Sequence, residues 1–320
     1  TNYSSLPFDA ISQQQVKTGG YGAEIGRSLG GVVSLWTKRG TNTWKGGAAV
    51  YITPGWASAA GKTVVNQDKD TWISPTQPSY TLYSPTANTF QNMSYDVYAG
   101  GPIVKDKLFF FGLLEGRKNT SDTYGGATSG TSRDETPTGM MKLDWQISDD
   151  HRLEFTGISN KRRVSYSAWD NTSDSDKYGL RHVGTPRLSS VDTGGDVEIL
   201  KYTGYLTENL TLSAQYGRLY SLLGRLNDPS NFGAECPAIY GANGQPAYGC
   251  WNPAHFTIRD LKAPDDADTR KGKRIDLEWI VGSHTIRAGY DAQDFISSQA
   301  GETYSGGIYY RYFAMPASRT

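Results

Sequence analysis

The chain of 320 residues lacks any long hydrophobic run, has two cysteines and four histidines, and shows no excess of either charge, with 32 Lys and Arg against 32 Asp and Glu. Each scarcity excludes something. The longest strongly apolar stretch, Leu108 to Leu114, falls far short of the roughly 20 residues that a membrane-spanning helix needs. The balanced charge argues against a nucleic-acid binder held by a global positive field. Cys236 and Cys250 sit close together, which fits an oxidising compartment and a disulfide better than a metal site wanting four ligands. Such a bridge would close a loop of about 15 residues, worth roughly 3 kcal/mol of lost freedom in the unfolded chain. The histidines (His151, His182, His255 and His284) are scattered, and no Gly-x-Ser-x-Gly elbow, Walker loop or His-Glu-x-x-His motif occurs. The reading is therefore not an enzyme, with no cofactor and no metal. Asp170 to Asp176 is acid-rich but lacks the glycine and the bidentate glutamate of a calcium loop, and reads as a solvated loop. Thr1 in place of Met points to a processed or truncated chain.

Apolar residues are also sparse, at 37% against about 45–50% in soluble domains. Their place is taken by 37 Gly and 21 Tyr. What is abundant is alternation. Met141, Leu143, Trp145 and Ile147 alternate with Lys142, Asp144 and Gln146, and Leu153 and Phe155 with Arg152, Glu154 and Thr156. Leu210, Leu212, Ala214 and Tyr216 repeat the pattern, as do Ile275, Leu277, Trp279 and Val281, then Ile286, Ala288 and Tyr290. Successive side chains on a strand point to opposite faces, so each run has one apolar and one polar face. About ten strands follow, near 43–53, 93–103, 107–118, 138–148, 151–161, 195–207, 209–223, 272–282, 284–295 and 305–314, most of them long enough to cross a membrane.

Their links alternate in length. Tight turns fall at 104–106, 149–150, 208 and 283, and long links at 54–92, 119–137, 162–194, 224–271 and 296–304. Short turns on one side and long loops on the other are the pattern of a transmembrane antiparallel β-barrel of the outer membrane of a Gram-negative bacterium, with lipid as its surroundings. Trp44, Trp145 and Trp279 near the short-turn ends suit the membrane interface. Full charges on the opposite faces suit a polar lumen. A soluble sandwich also alternates, but does not need this rhythm of links. Residues 1–40 stand apart. They are Gly-rich, end in Val32 to Thr37, and read as the tail of a small separate domain that feeds the first strand of 41–320.

Two stretches carry a family likeness. Tyr21 to Val33 (YGAEIGRSLGGVV), followed by Thr37 to Asn42 (TKRGTN), resembles the end of the plug domain of TonB-dependent outer-membrane receptors. Gly100 to Gly112 (GGPIVKDKLFFFG) resembles the second and third barrel strands of the Oar-like branch of that family, a branch that often carries a carboxypeptidase-regulatory-like domain at its N-terminus. The resemblance implies a fragment, with 1–40 the C-terminal part of a plug and 41–320 the N-terminal part of an about 22-stranded barrel. It implies active import of an external ligand, driven by a TonB-type inner-membrane complex. A passive porin or a surface adhesion or secretion barrel is the alternative. The ligand stays open among siderophores, oligosaccharides and peptides.

Two sets of site residues are expected. The resemblance implies that Arg27 in the plug motif pairs with acidic residues of the wall, Glu154 and Glu278 foremost, with Asp144 and Asp276 also lumen-facing. Loop aromatics would contact ligand: Trp56, Trp72, Trp169, Tyr178, Tyr240, Tyr248 and Trp251. Such rings stack on sugars and flat chelates at little entropic cost.

Overall fold

The computed structural model describes residues 6–20, 30–59, 61–62, 64–66, 80–83, 87–125, 128–170, 181–227, 238–240, 246–249, 267–298 and 309–311. After a short 3-10 turn at Phe8–Ala10, β1 (Ile11–Lys17) and β2 (Val32–Thr37) pair as an isolated antiparallel hairpin. Next come β3 (Lys45–Pro54), the short β4 (Val64–Asn66) and β5 (Tyr80–Tyr83), then β6 (Thr89–Val104), β7 (Leu108–Gly125), β8 (Thr128–Asp134), β9 (Thr138–Ser148), β10 (His151–Ser159) and β11 (Arg162–Asp170). The chain continues through β12 (Arg187–Thr207), β13 (Leu210–Asn227), β14 (Ala238–Tyr240), β15 (Pro246–Gly249), β16 (Ala267–Val281), β17 (His284–Ser298) and β18 (Tyr309–Arg311).

Eleven of these strands form one antiparallel sheet, the wall, running from β3 to β17. Between β7 and β12 the wall is built in two tiers. The β9–β10 hairpin fills the tier near the short turns, and β8 with β11 fills the tier above it. Segments expected as loops at 119–137 and 162–194 are thus partly strand. Asn119 to Thr123 is polar on both faces and carries no period-two signal, because a sheet rising above the membrane is wetted on both sides. The tiers meet at a corner. Asn160 donates its backbone N–H to Gly195, whose own N–H donates back to the Asn160 Oδ1. Gly194 there has φ +73°, and a Cβ on it would lie 2.1 Å from the Asn160 carbonyl oxygen, so only glycine fits.

The expected strand at 305–314 is corrected in part. Its described residues, 309–311, pair in parallel with β14 and not with the wall. Tyr309 and Tyr310 stand next to each other in the sequence, so the stretch lacks the apolar–polar alternation that would fix its register.

The two faces of the wall differ in kind. On the outer face, Val50, Val97, Leu114, Trp145, Ile275, Leu277, Trp279 and Ile286 are exposed, and cross-strand pairing places them side by side, as Trp279 beside Leu210 and Ile286. Two residues above Leu200 on the same face, Glu198 meets Arg218 at 3.8 Å, which marks the end of the apolar band. On the inner face lie Asp96, Asp144 and Glu154, all buried, and a small cluster of Ala10, Phe111, Leu113 and Met140 that packs the start of the chain against β7 and β9. A continuous band of exposed apolar side chains on one face of a long antiparallel sheet is the surface that a membrane-spanning wall presents to lipid. The sheet is the wall of a partial transmembrane β-barrel.

The outer face yields the first prediction. Leu277→Arg puts a charge into the apolar band and is expected to cost about 2–4 kcal/mol in urea unfolding from lipid. Thr211→Arg, on the inner face opposite Glu278, should cost less than half of that. Equal costs contradict the assignment of faces.

Candidate functional site: the junction between the amino-terminal hairpin and the wall

The hairpin register determines the chemistry at the foot of the inner face. A one-residue shift beside the 149–150 turn puts Asp144 of β9 directly opposite Glu154 of β10. Like charges facing each other across a ladder repel, and both carboxylates are buried, 4% and 7% exposed. The compensating cation comes from outside the wall. Arg39, just after β2, sends its Nη2 to the Glu154 Oε1 as a hydrogen-bonded ion pair and stands 3.5 Å from the Asp144 Oδ1. Arg152 and Lys142 flank Glu154 at 3.3 and 3.9 Å. The guanidinium thus hydrogen-bonds Glu154 and holds Asp144 by charge, since neither Asp144 oxygen accepts a hydrogen bond among the described residues.

The residues on either side of Arg39 hold it in place. The Lys38 backbone N–H donates to the Ala10 carbonyl at 2.8 Å. Its ammonium lies 3.9 Å from Asp9 and 4.5 Å from the centre of the Tyr98 ring. Asp9 in turn accepts a 2.8 Å hydrogen bond from the Tyr51 hydroxyl of β3. Gly40 lies so close to β7 that a Cβ on it would fall 2.3 Å from the Phe110 carbonyl oxygen. Asn42 then closes on the β6–β7 turn. Its Nδ2 donates to the Asp106 Oδ1 at 2.6 Å, and its Oδ1 accepts the Asp106 backbone N–H at 2.8 Å. Asp106 is the one described non-glycine residue with positive φ, at 62°, a conformation Asp tolerates better than most. Residues 38–42 are therefore fastened to the inner face by an ion pair, a close backbone packing and a side-chain clamp in sequence.

Of the residues singled out from the sequence, Glu154 receives this cation, supplied by Arg39. Arg27 lies outside the described residues. Glu278 accepts from Arg287 of the neighbouring strand at 2.7 Å, and Asp276 from Arg274 of its own strand at 2.6 Å. Sequence reading missed Arg39, although it stands within the quoted TKRGTN motif. The signal was present in the facing pattern of Asp144 and Glu154, which leaves two acids needing a partner.

The aromatic set is dispersed. Trp56 stands 89% exposed beyond the end of β3. Trp169 stacks on the His182 ring at 3.9 Å, and Tyr124 stacks on His182 at 4.8 Å. His182 also meets the Ser129 hydroxyl at 2.9 Å, so Trp169 helps pin the start of the 181–186 segment to the top of β8. Tyr240 and Tyr248 fall on the paired strands β14 and β15. Trp72, Tyr178, Trp251, Cys236 and Cys250 lie outside the described residues. Among those described, no cluster of His, Cys, Asp and Glu is arranged to hold a metal.

No family model matches the chain. Over 111 residues, 34% of this chain and 9% of the relative, it is 33% identical to the TonB-dependent transporter Oar of Myxococcus xanthus. Among solved structures it is similar to the toluene transporter TbuX of Ralstonia pickettii, with a TM-score of 0.29 and 11% identity over 88% of this chain and 74% of that one. The monoaromatic hydrocarbon channel CymD gives 0.28 and 8% over 90% and 73%. At these TM-scores the structural likenesses bear on neither ligand nor mechanism. A lipid-facing antiparallel wall is built for the outer membrane of a Gram-negative bacterium, and the chain is similar, over about a third of its length, to a transporter.

Gly40 gives the prediction for this junction. Gly40→Ala should lift 38–42 from the wall, and trypsin should then cut after Lys38 or Arg39 several-fold faster in the folded protein. Gly272→Ala, where a Cβ meets nothing within 4 Å, serves as the control. Equal cleavage in the two variants contradicts the close packing at Gly40.

Proposed function

We propose that this chain is part of an outer-membrane active-transport receptor, with residues 1–40 the C-terminal part of a plug domain and 41–320 the N-terminal part of its barrel. One observation carries the reading: Arg39 closes the unfavourable Asp144–Glu154 pair of the wall. A plain channel wall has no reason to bury two facing carboxylates whose bridging cation arrives on a separate hairpin. A plug does, because an ionic latch is firm at rest and can exchange its partners for water when pulled. The partial match to a TonB-dependent transporter supports a TonB-type complex as the source of that pull and an external ligand as the cargo. In this reading no bound cofactor is needed, since the proton gradient across the inner membrane supplies the energy, and the wall is a conduit and not an enzyme.

Planar-bilayer recordings of the full-length protein test the proposal without knowledge of the ligand. A plugged receptor is expected to stay closed at rest and to bind the periplasmic domain of a TonB-type protein in a pull-down. Steady open conductance, with no binding of that domain, supports a passive porin and overturns the proposal.

A further inference from the structure

A polar recess of about 530 Å³ opens on the inner face above the junction, between β3, β6 and β7 on one side and β8 and β11 on the other. Its lining follows from register. Thr53, Asn92, Asn119 and Asp134 form one cross-strand row, and Ser121 faces Ser132 in a second. Neighbouring strands lie about 4.8 Å apart, so hydroxyls and amides repeat at a regular short interval. Asn92, Asn119, Ser121 and Ser132 make no side-chain hydrogen bond among the described residues, although all line the recess.

The charges in the recess cancel. Arg117 donates to Glu115 and lies 3.8 Å from Asp134, while the Arg162 Nε donates to Asp134 at 2.5 Å. Asp134 is almost fully buried, 2% exposed, so this network is part of the frame. Two arginines face two carboxylates, which leaves no surplus cation for a phosphate or an anionic chelate. Met93 and Val164 are the aliphatic members of a lining that is otherwise mostly polar. What remains is an array of unused donors and acceptors, with the Tyr51 ring at the floor, 48% exposed. We infer that this recess binds a neutral polyhydroxylated ligand, an oligosaccharide segment, whose hydroxyls meet the amide and serine rows while a sugar face rests on Tyr51. The inference rests on the receptor reading for its purpose and names the class of its cargo. It also gives the cargo a route to the junction: the Tyr51 hydroxyl holds Asp9, and Asp9 meets Lys38 beside Arg39.

The test is a glycan array of neutral, uronic-acid and phosphorylated oligosaccharides probed with the full-length protein, followed by calorimetric titration of the strongest neutral binder. Binding to neutral members is expected. Asn92→Leu with Asn119→Leu should weaken it at least about tenfold, since both amides lose their hydrogen bonds to the sugar hydroxyls. If that variant fails to fold, Asn119→Ala, which removes the amide and leaves the strand pairing intact, should weaken it about fivefold. An array that captures only charged glycans, or none, overturns the inference, as does unchanged affinity in a folded variant. Open conductance in the bilayer would overturn the receptor reading and leave neutral-glycan binding standing, so the two failures are distinguishable.

Discussion

Two carboxylates face each other across a β-ladder on the inner wall, and the lower half of this structure is arranged around them. Asp144 and Glu154 are buried and directly paired by register. Left alone they would repel through a medium that screens poorly. Lys142 and Arg152 flank the pair along the strands, but only Arg39 contacts both acids. The wall is thus complete only with a segment that is not part of it. That dependence accounts for the arrangement of residues 38–42, where Gly40 allows contact with the Phe110 backbone and Asn42 closes the nearest turn.

The pair also explains why the register slips beside the 149–150 turn. An unshifted hairpin pairing His151 with Ser148 would continue by setting Glu154 opposite Trp145, with a polar and an apolar side chain competing for one face. The observed shift between His151 and Arg152 restores Leu153 opposite Trp145 and Phe155 opposite Leu143 on the lipid side. The same shift unavoidably sets acid against acid inside. Lipid therefore selects the register, and the register creates the need for Arg39.

The membrane tier was legible in the sequence because lipid on one side and water or protein on the other impose a strict period of two. The runs at 138–148, 210–216 and 275–281 became strands with the expected faces. The upper tier was not legible, since Ser, Thr and Asn on both faces of the upper part of β7, and Ser and Thr on both faces of β8, leave no contrast to read. The junction was half legible. Its acidic half showed in the alternation, whereas Arg39 looked like any cation in a polar linker until packing placed it. The recess was invisible, because it arises from five strands aligning small polar residues that individually look like solvated surface.

A double-mutant cycle between Arg39 and Glu154 tests the central claim most directly. Stability of the full-length protein in lipid would be measured for Arg39→Ala, Glu154→Gln and the two combined. The account predicts a coupling energy of about 1–3 kcal/mol, because Arg39→Ala leaves two buried carboxylates facing each other without the cation that contacts both. It also predicts that Glu154→Gln by itself is the milder change, since it relieves the repulsion from Asp144. Additive effects, with coupling near zero, would contradict the claim that the amino-terminal hairpin is latched to the wall through this pair.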